Sequence, residues 1–214
     1  MSTRREFIRA TTAALAGVSL ASRAQQPGKV YRIGYLSQPT RESVAQAVAA
    51  FLNKLRELGW VVGQNVIIDY RWAVGDAGRL PGYAAELVRE KVDLIVAPAG
   101  TAALAAKKAT STIPIVMIFP VNPVELGLVA SLRKPGGNVT GTTFAPSSEI
   151  FGKQLQLLKE AIPQASRVAL LENPADPTWT IQHKELEAAA QAMGIRLLPF
   201  PATAPDEFDG AFAA

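Results

Sequence analysis

The 214-residue chain contains no cysteine and one histidine, His183. Without cysteine, the chain forms no disulfide scaffold, thiolate metal site or cysteine nucleophile, and it offers no cysteine for a lipid anchor. A single histidine excludes a zinc site built from several histidines. We therefore expect no metal, and the predicted position of His183 is the solvated face of a helix.

Charged residues are also scarce, at 19% of the chain, whereas hydrophobic residues make up 49%. This balance excludes a largely disordered chain and allows a substantial core. Most of the net charge of +4 comes from residues 1–24, because residues 25–214 carry 18 basic and 17 acidic side chains. A nearly neutral body provides no electrostatic basis for binding nucleic acid, so no nucleic-acid partner is expected.

The sequence lacks the common nucleotide-binding and hydrolase motifs. No glycine-rich dinucleotide fingerprint follows the first predicted strand, and there is no Gly-x-x-x-x-Gly-Lys phosphate loop and no Gly-x-Ser-x-Gly elbow. The acidic neighbours Asp206 and Glu207 are adjacent on a predicted helix and do not converge. These absences favour a binding protein without a cofactor over an enzyme. Catalysis by carboxylates from scattered loops stays an alternative.

Residues 1–24 have the pattern of an export signal. A basic start that includes Arg4 and Arg5 precedes a short apolar run, and residues 22–24 supply small side chains for a cleavage site. The paired arginines, followed by Phe-Ile, resemble a twin-arginine signal. The alternative is an amphipathic helix that stays on the protein. The export hypothesis predicts a mature chain that begins near Gln25 and lies, without a lipid anchor, in a bacterial periplasm.

The rest of the chain alternates predicted strands with predicted helices. Apolar runs bounded by glycine and proline indicate strands, and apolar residues at helical spacing indicate helices. This order is typical of an α/β fold whose mainly parallel sheet carries helices on both faces. The predicted strands are 30–37, 66–72, 93–97, 114–119, 138–144, 167–171 and 196–200, and the predicted helices are 43–58, 80–88, 101–110, 124–132, 150–162 and 177–193.

The pattern predicts two similarly wound lobes, 25–144 and 145–214, with a boundary near 144–149. Only two of the predicted strands fall in the second lobe, which is too few for an independent sheet, so we expect this lobe to be incomplete. At its end, Thr203 and Asp206 have the spacing of a capping box, and Phe208 and Phe212 begin the apolar face of a further helix.

Four segments resemble the TrpX-like family of ABC transporter substrate-binding proteins, which have the periplasmic binding protein type I architecture. They are RIGYLS at 32–37, the run LRELGWVVGQNVIIDYRWAVGDAGRLPGYAAELVREKVDLIVAPAGTAALAAKKATSTIPIV at 55–116, NPVELGLVASLRKPGGNVTG at 122–141, and RVALLENPADPT at 167–178. The resemblance implies two Rossmann-like lobes that close on a small polar ligand, such as an amino acid or a related carboxylate. It also implies an ABC permease in the inner membrane as partner, and we expect a monomer.

In doubly wound sheets, ligands bind beyond the carboxyl ends of the strands. Ser37 and Gln38 follow the first predicted strand and are candidates for ligand contact. Gly100, Thr101 and Ala102 follow the third strand and begin a helix. The free N–H groups of Thr101 and Ala102, with the Thr101 hydroxyl, predict a carboxylate site, and Gly100 allows close approach. The alternative is that Thr101 only caps the helix.

Four further candidates lie at or beyond the ends of other predicted strands. Asn122 either contacts the ligand or builds the turn into Pro123. Phe144, at the crossover between the lobes, either packs on a flat ligand or belongs to the hinge core. The resemblance places Asn173 and Pro174 in the cleft, although Asn-Pro is also an ordinary turn signal.

Three hypotheses about function therefore remain. The first is a periplasmic solute receptor, the second an exported Rossmann-like enzyme that acts on a small acid, and the third a truncated remnant that binds nothing. A cleft lined by uncharged amides and hydroxyls would indicate the receptor, whereas a converging acid/base pair would indicate the enzyme.

Overall fold

The structure is a computed structural model that describes residues 29–174, 176, 179–203 and 205–213. The predicted export signal at 1–24 lies outside the described residues. The chain from Tyr31 onward forms one compact unit. Within the described ranges, no helix combines the length and the apolar character needed to cross a membrane.

Strands and helices alternate along the described chain, as the sequence predicts, except between residues 119 and 138, where no helix forms. The strands are β1 (Tyr31–Ser37), β2 (Val66–Trp72), β3 (Leu94–Pro98), β4 (Ile115–Ile118), β5 (Val139–Thr142), β6 (Arg167–Glu172) and β7 (Arg196–Pro201). The helices are α1 (Ala45–Glu57), α2 (Leu80–Arg89), α3 (Ala99–Ala109), α4 (Glu149–Ala161), α5 (Trp179–Ala192) and α6 (Phe208–Ala213), with short 3-10 turns at Ala77–Arg79 and Pro205–Glu207.

Among the described residues, five parallel strands form the first sheet in the order β2-β1-β3-β4-β5. The predicted parallel sheet with helices on both faces is therefore confirmed. Strand β1 lies between β2 and β3 and is buried from Ile33 to Ser37. Burial on both faces explains its nearly continuous apolar sequence, which is typical of parallel strands. All the carboxyl ends of this sheet lie at one edge.

Two apolar clusters cover the faces of the first sheet. On one face, α2 and α3 pack through Leu87 and a row of alanines against Leu36 and Ile95. On the other face, Val48 and Phe51 of α1 pack against Ile33, Tyr35 and Val66. Alanine at the α3 contact brings this helix close to the sheet, and the close approach positions the first turn of α3 beside the end of β1.

An aromatic group lies on the α1 face of this sheet. The ring of Tyr35 lies 5.6 Å from that of Tyr70 and 5.4 Å from that of Trp72, and the latter two rings stack at 5.5 Å. Burial raises the pKa of Tyr35, and the neighbouring Tyr70 adds to the shift. Burial also raises the pKa of Tyr70, and the positive charge of Arg41 offsets part of this rise. Both phenols therefore stay neutral at physiological pH, and the group acts as packing.

An ion-pair network joins β1, β2 and α2. Arg32 pairs with Asp69 at 2.9 Å, and Arg71 pairs with Glu86 at 2.8 Å and also with Glu90. Desolvation lowers the pKa of Arg71, but its hydrogen bond to Glu86 and the charge of Glu90 outweigh this and raise it overall. The Arg71 guanidinium stays charged, and the network ties the edge strand β2 to α2.

The second lobe consists of α4, β6, α5 and β7. In the described residues its sheet has two parallel strands, β6 and β7. Leu155, Ala190 and Ile195 form its buried cluster. Leu155 is the buried apolar side chain of α4, whereas Ile150 retains 40% of its surface. The lobe boundary near 144–149 stays a prediction.

The helix predicted at 124–132 is wrong, because this segment forms successive turns. The carbonyl of Pro123 accepts hydrogen bonds from the N–H groups of Leu128 (2.8 Å) and Val129 (3.2 Å). Gly127 adopts a φ of 67° between them, which breaks the helical path. The apolar spacing instead places Leu128 and Val129 in the core.

The capping box predicted at Thr203 and Asp206 pairs differently. The backbone N–H of Thr203 donates to the carboxylate of Glu207 at 2.6 Å, and its hydroxyl lies 3.2 Å from the same carboxylate. A 3-10 turn at Pro205–Glu207 precedes α6, which starts at Phe208. The carboxylate that reaches back therefore belongs to the residue after the predicted one. Phe212 remains 81% exposed.

Candidate functional site

A cavity of about 400 Å³ lies where the carboxyl ends of the first sheet face the second lobe. Loops that follow β1, β2, β3 and β4 line it on one side, and the loop after β6 and the start of α5 line it on the other. This is the position at which open parallel sheets bind ligands. Four of the nine predicted site residues line this cavity: Gln38, Gly100, Thr101 and Asn173.

Hydrogen bonds hold three first-lobe loops together at the cavity. The Thr101 hydroxyl donates to Oε1 of Gln38 at 2.9 Å. The Gln38 Nε2 amide donates to the carbonyl of Gly75 at 3.3 Å, and the Gly75 N–H donates to the carbonyl of Gln38 at 2.8 Å. Gln38 therefore links the loops after β1, β2 and β3, which preorganises this side of the cavity.

The α3 helix presents its first turn to the cavity. It begins at Ala99 with Pro98 as N-cap, and no side chain caps it. Thr101 is therefore not the capping residue. The N–H groups of Ala99, Gly100 and Thr101 precede the first intrahelical hydrogen bond and are available to an anion. The predicted carboxylate site therefore shifts to the N–H groups of residues 99–101, and it stays a prediction.

Ala102 does not fit its predicted role. Since the helix starts at Ala99, the N–H of Ala102 is the first to bond within the helix. Its side chain is fully buried in the core against the sheet. Ala102 therefore packs α3 and presents no group to a ligand.

Two more predicted residues are buried beside the cavity and do not line it. Ser37 is 1% exposed, and its hydroxyl has no hydrogen-bond partner among the described residues. Asn122 is 3% exposed with a φ of 45°, and its Oδ1 accepts from the N–H of Glu125 at 3.3 Å while its Nδ2 donates to Ser148 at 3.4 Å. Asn122 therefore builds the turn, which was the alternative interpretation.

Phe144 and Pro174 lie outside the cavity lining. Phe144 is 69% exposed, and its backbone N–H donates to the carbonyl of Pro120 at 3.1 Å. The backbone of Phe144, and not its ring, therefore makes the contact at this position. Pro174 is exposed at the turn after β6. The aromatic ring at the cavity belongs to Phe119, which is 64% exposed and follows β4.

Strained backbone is concentrated in the loops around the cavity. The non-glycine residues Val74, Ala99, Phe119 and Asn122 have φ values of 54°, 63°, 57° and 45°. They follow β2, β3 and β4, whose loops face the second lobe. Such conformations persist only where surrounding structure enforces them, and they are typical of binding sites.

The cavity surface is mostly uncharged. Among the described residues that line it, Asp176 carries the one ionisable side chain, and amides, hydroxyls, apolar side chains and glycine make up the rest. No acid/base pair converges among the described residues of this lining. The described residues also contain no cluster of three or more histidine, aspartate or glutamate side chains suited to a metal ion. The described lining therefore matches the uncharged cleft that the receptor hypothesis predicts.

A smaller cavity of about 260 Å³ adjoins it in the second lobe. Here His183 is not on a solvated face: its Nδ1 lies 3.2 Å from Glu172 and its Nε2 lies 3.1 Å from Glu187. Its ring also lies 4.8 Å from that of Trp179. The two cavities share three lining residues, which are Asn173, Asp176 and Gln182.

Several cavity residues were not predicted from the sequence, among them Gly75, Phe119, Val121, Asp176, Gln182 and Thr203. The signal for Asp176 is its position three residues beyond Asn173, in a loop that the resemblance places at the cleft. Phe119 is the last residue of a predicted strand, and only the structure shows that its ring is exposed.

The comparisons agree with this architecture. The family profile described as "ABC transporter substrate binding protein" matches residues 34–214. A tyrosine-binding protein of Clostridioides difficile (strain R20291) is 36% identical over 163 residues, which is 76% of this chain and 46% of that protein. The chain therefore spans about half the length of this curated relative.

Two solved structures share 27% sequence identity with the chain. One is a conserved domain protein from Vibrio cholerae, with a TM-score of 0.74. The other is an ABC domain in complex with L-Trp from Streptococcus pneumonia, with a TM-score of 0.71. Each match covers 86% of this chain and 61% of the other.

Proposed function

The chain belongs to the ABC transporter substrate-binding protein family, and from this we propose that it captures an aromatic α-amino acid between its lobes for uptake by a permease. Its α/β architecture is that of the type I periplasmic binding proteins. The relatives' ligands, tyrosine and L-Trp, suggest the aromatic class. The observation that carries the proposal is the mostly uncharged cavity at the carboxyl ends of the strands.

The cavity offers complementary groups for such a ligand. The free N–H groups of Ala99, Gly100 and Thr101 form an anion site for the α-carboxylate, strengthened by the helix dipole. Phe119, Pro39 and Val121 supply apolar surface for the ring. Because backbone groups hold the carboxylate, this site depends on the helix start and not on a basic side chain.

Capture needs no covalent step. The ligand contacts both lobes, so it favours the closed arrangement by its higher affinity for that state. We propose that the closed form is what an inner-membrane permease recognises, that the protein acts as a monomer, and that it performs no catalysis.

Replacing Thr101 by valine tests the first-lobe site. We expect Thr101→Val to weaken binding of L-tyrosine and L-tryptophan by about 1–2 kcal/mol, because valine keeps the backbone N–H but removes the cavity-facing hydroxyl, its bond to Gln38 and the lone pair that it offers to a charged ligand group. Isothermal titration calorimetry would measure this, with L-leucine and benzoate completing the panel. Thr140→Val, an exposed change on β5, is the matched control. Unchanged affinity with an intact circular dichroism spectrum would assign Thr101 a structural role only, and a wild-type protein that binds no amino acid would refute the proposed function.

Export by the twin-arginine pathway is a second proposal, based on residues outside the described ranges. A fusion of residues 1–30 to a reporter should reach the periplasm only in cells with a working twin-arginine pathway. Lysine at both Arg4 and Arg5 should abolish export, because the receptor reads the arginine pair and not the charge alone. Fractionation of cells would measure the reporter. Normal export of the double variant would contradict the proposal and leave a general signal peptide.

A further inference from the structure

The side-chain amide of Gln38 is bonded at both of its ends. Its Nε2 lies 3.3 Å from the carbonyl oxygen of Gly75, and its Oε1 lies 2.9 Å from the hydroxyl of Thr101. The Gly75 loop is itself held by backbone, since its N–H donates to the carbonyl of Gln38. The amide therefore sits between one partner that is fixed in position and one that faces the cavity.

The carbonyl of Gly75 determines which way this amide points. A carbonyl oxygen only accepts hydrogen bonds, so the group facing it must be the NH₂. The reversed amide would place two acceptor oxygens 3.3 Å apart and lose this bond. Consequently, Oε1 faces Thr101, and the single hydroxyl proton of Thr101 is donated to Gln38.

A hydroxyl whose proton is committed offers only lone pairs to other groups. Thr101 lines the cavity, and its side chain has no second hydrogen-bond partner among the described residues. We infer that Gln38 is a positioning residue that makes the Thr101 hydroxyl an acceptor, so that the ligand must present a donor there: the α-ammonium group of an amino acid. This inference rests on the proposed function and assigns the ligand's orientation within that site.

The charge of the cavity supports this assignment. Its one ionisable side chain in the described lining is the carboxylate of Asp176, which favours a cationic ligand group. The α-carboxylate then goes to the N–H groups of Ala99 and Gly100, which only donate. An acceptor and donors on adjacent residues thus match the two ends of an α-amino acid.

Pairs of amino acids and their α-keto acids test the inference, because the keto oxygen accepts where the ammonium donates. The pairs are L-tyrosine with 4-hydroxyphenylpyruvate, and L-tryptophan with indole-3-pyruvate. We expect the wild-type protein to bind each amino acid more tightly than its keto acid. In Gln38→Met, the Thr101 hydroxyl is free to donate to the keto oxygen, so this preference should fall by about tenfold.

Two further variants distinguish a change in the hydrogen-bonding role of the Thr101 hydroxyl from a general loss of structure. Gln38→Glu keeps an acceptor for the Thr101 proton but loses the bond to the Gly75 carbonyl. Its negative charge also favours the ammonium group, so this variant should bind more weakly overall and retain or increase the preference for the amino acid. Gln156→Met makes the same change as Gln38→Met on the exposed face of α4 and should behave as wild type. Using the ratio of two dissociation constants cancels any uniform loss of affinity.

The outcomes distinguish this inference from the proposed function. Amino-acid binding with an unchanged ratio in Gln38→Met, or a wild-type protein that binds keto and amino acids equally, would overturn the role of Gln38 and leave the receptor function standing. A wild-type protein that binds neither member of either pair would overturn the receptor function and this inference with it.

Discussion

Replacing Gly141 by alanine is expected to lower the free energy of unfolding by about 3–6 kcal/mol. Gly141 lies on β5 directly opposite Met117 of β4, with a φ of 140° that side chains rarely allow. A Cβ atom there would lie 1.9 Å from the carbonyl oxygen of Met117. Since backbone and not a flexible side chain blocks the position, the strands must separate to admit a methyl group.

The loss should appear as a melting temperature about 10–20 °C lower in circular dichroism or calorimetry. Gly82→Ala is the matched control. Gly82 lies exposed in α2 with nothing within 4 Å of the added methyl, and its φ is ordinary. Alanine favours the helix there, so this variant should be more stable by up to about 1 kcal/mol. A Gly141→Ala protein as stable as wild type would show that β5 pairs differently from the described register.

The buried strands were predictable because parallel strands covered on both faces are continuous apolar runs. Strand β2 matches its predicted range, and β1 and β3 differ by one residue. The failure at 124–132 came from turn chemistry: apolar spacing suited a helix, but hydrogen bonds to the Pro123 carbonyl and the left-handed Gly127 closed turns instead. The apolar spacing correctly predicted buried side chains in this segment, but it predicted the wrong backbone conformation.

The candidate site was predictable to the level of loops and not of side chains. Gln38 and Ser37 are neighbours, yet only Gln38 lines the cavity, because adjacent side chains at a strand end point to opposite faces. The two-residue shift in the start of α3 changed Thr101 from a cap to a hydrogen-bond partner of Gln38 and buried Ala102. Pairings such as this join residues 63 positions apart, which no local pattern encodes.

Hydrogen exchange is expected to divide the described chain into two regions of different stability. The amides of β1 and β3 should exchange at least about 100-fold more slowly than those of β6 and β7, a difference of about 2.7 kcal/mol in opening free energy. Strands β1 and β3 lie inside a sheet with packed clusters on both faces. The ion pairs of Arg32 and Arg71 further tie the edge of this sheet to α2.

The second lobe has fewer packing and strand-pairing contacts to stabilise its folded state. Its buried cluster comprises Leu155, Ala190 and Ile195, and within the described residues β6 pairs only with β7. A two-stranded sheet with one small cluster is marginal unless other structure covers it, so α4, β6, α5 and β7 should open without the first sheet. Exchange measured by mass spectrometry would resolve the two regions, and limited proteolysis should cut beyond about residue 150 first.

Saturating L-tyrosine should slow exchange in β6, because the loop after this strand lines the cavity and the bound ligand couples it to the first lobe. Equal protection of β1 and β6 without ligand would instead show that both lobes unfold as one cooperative unit.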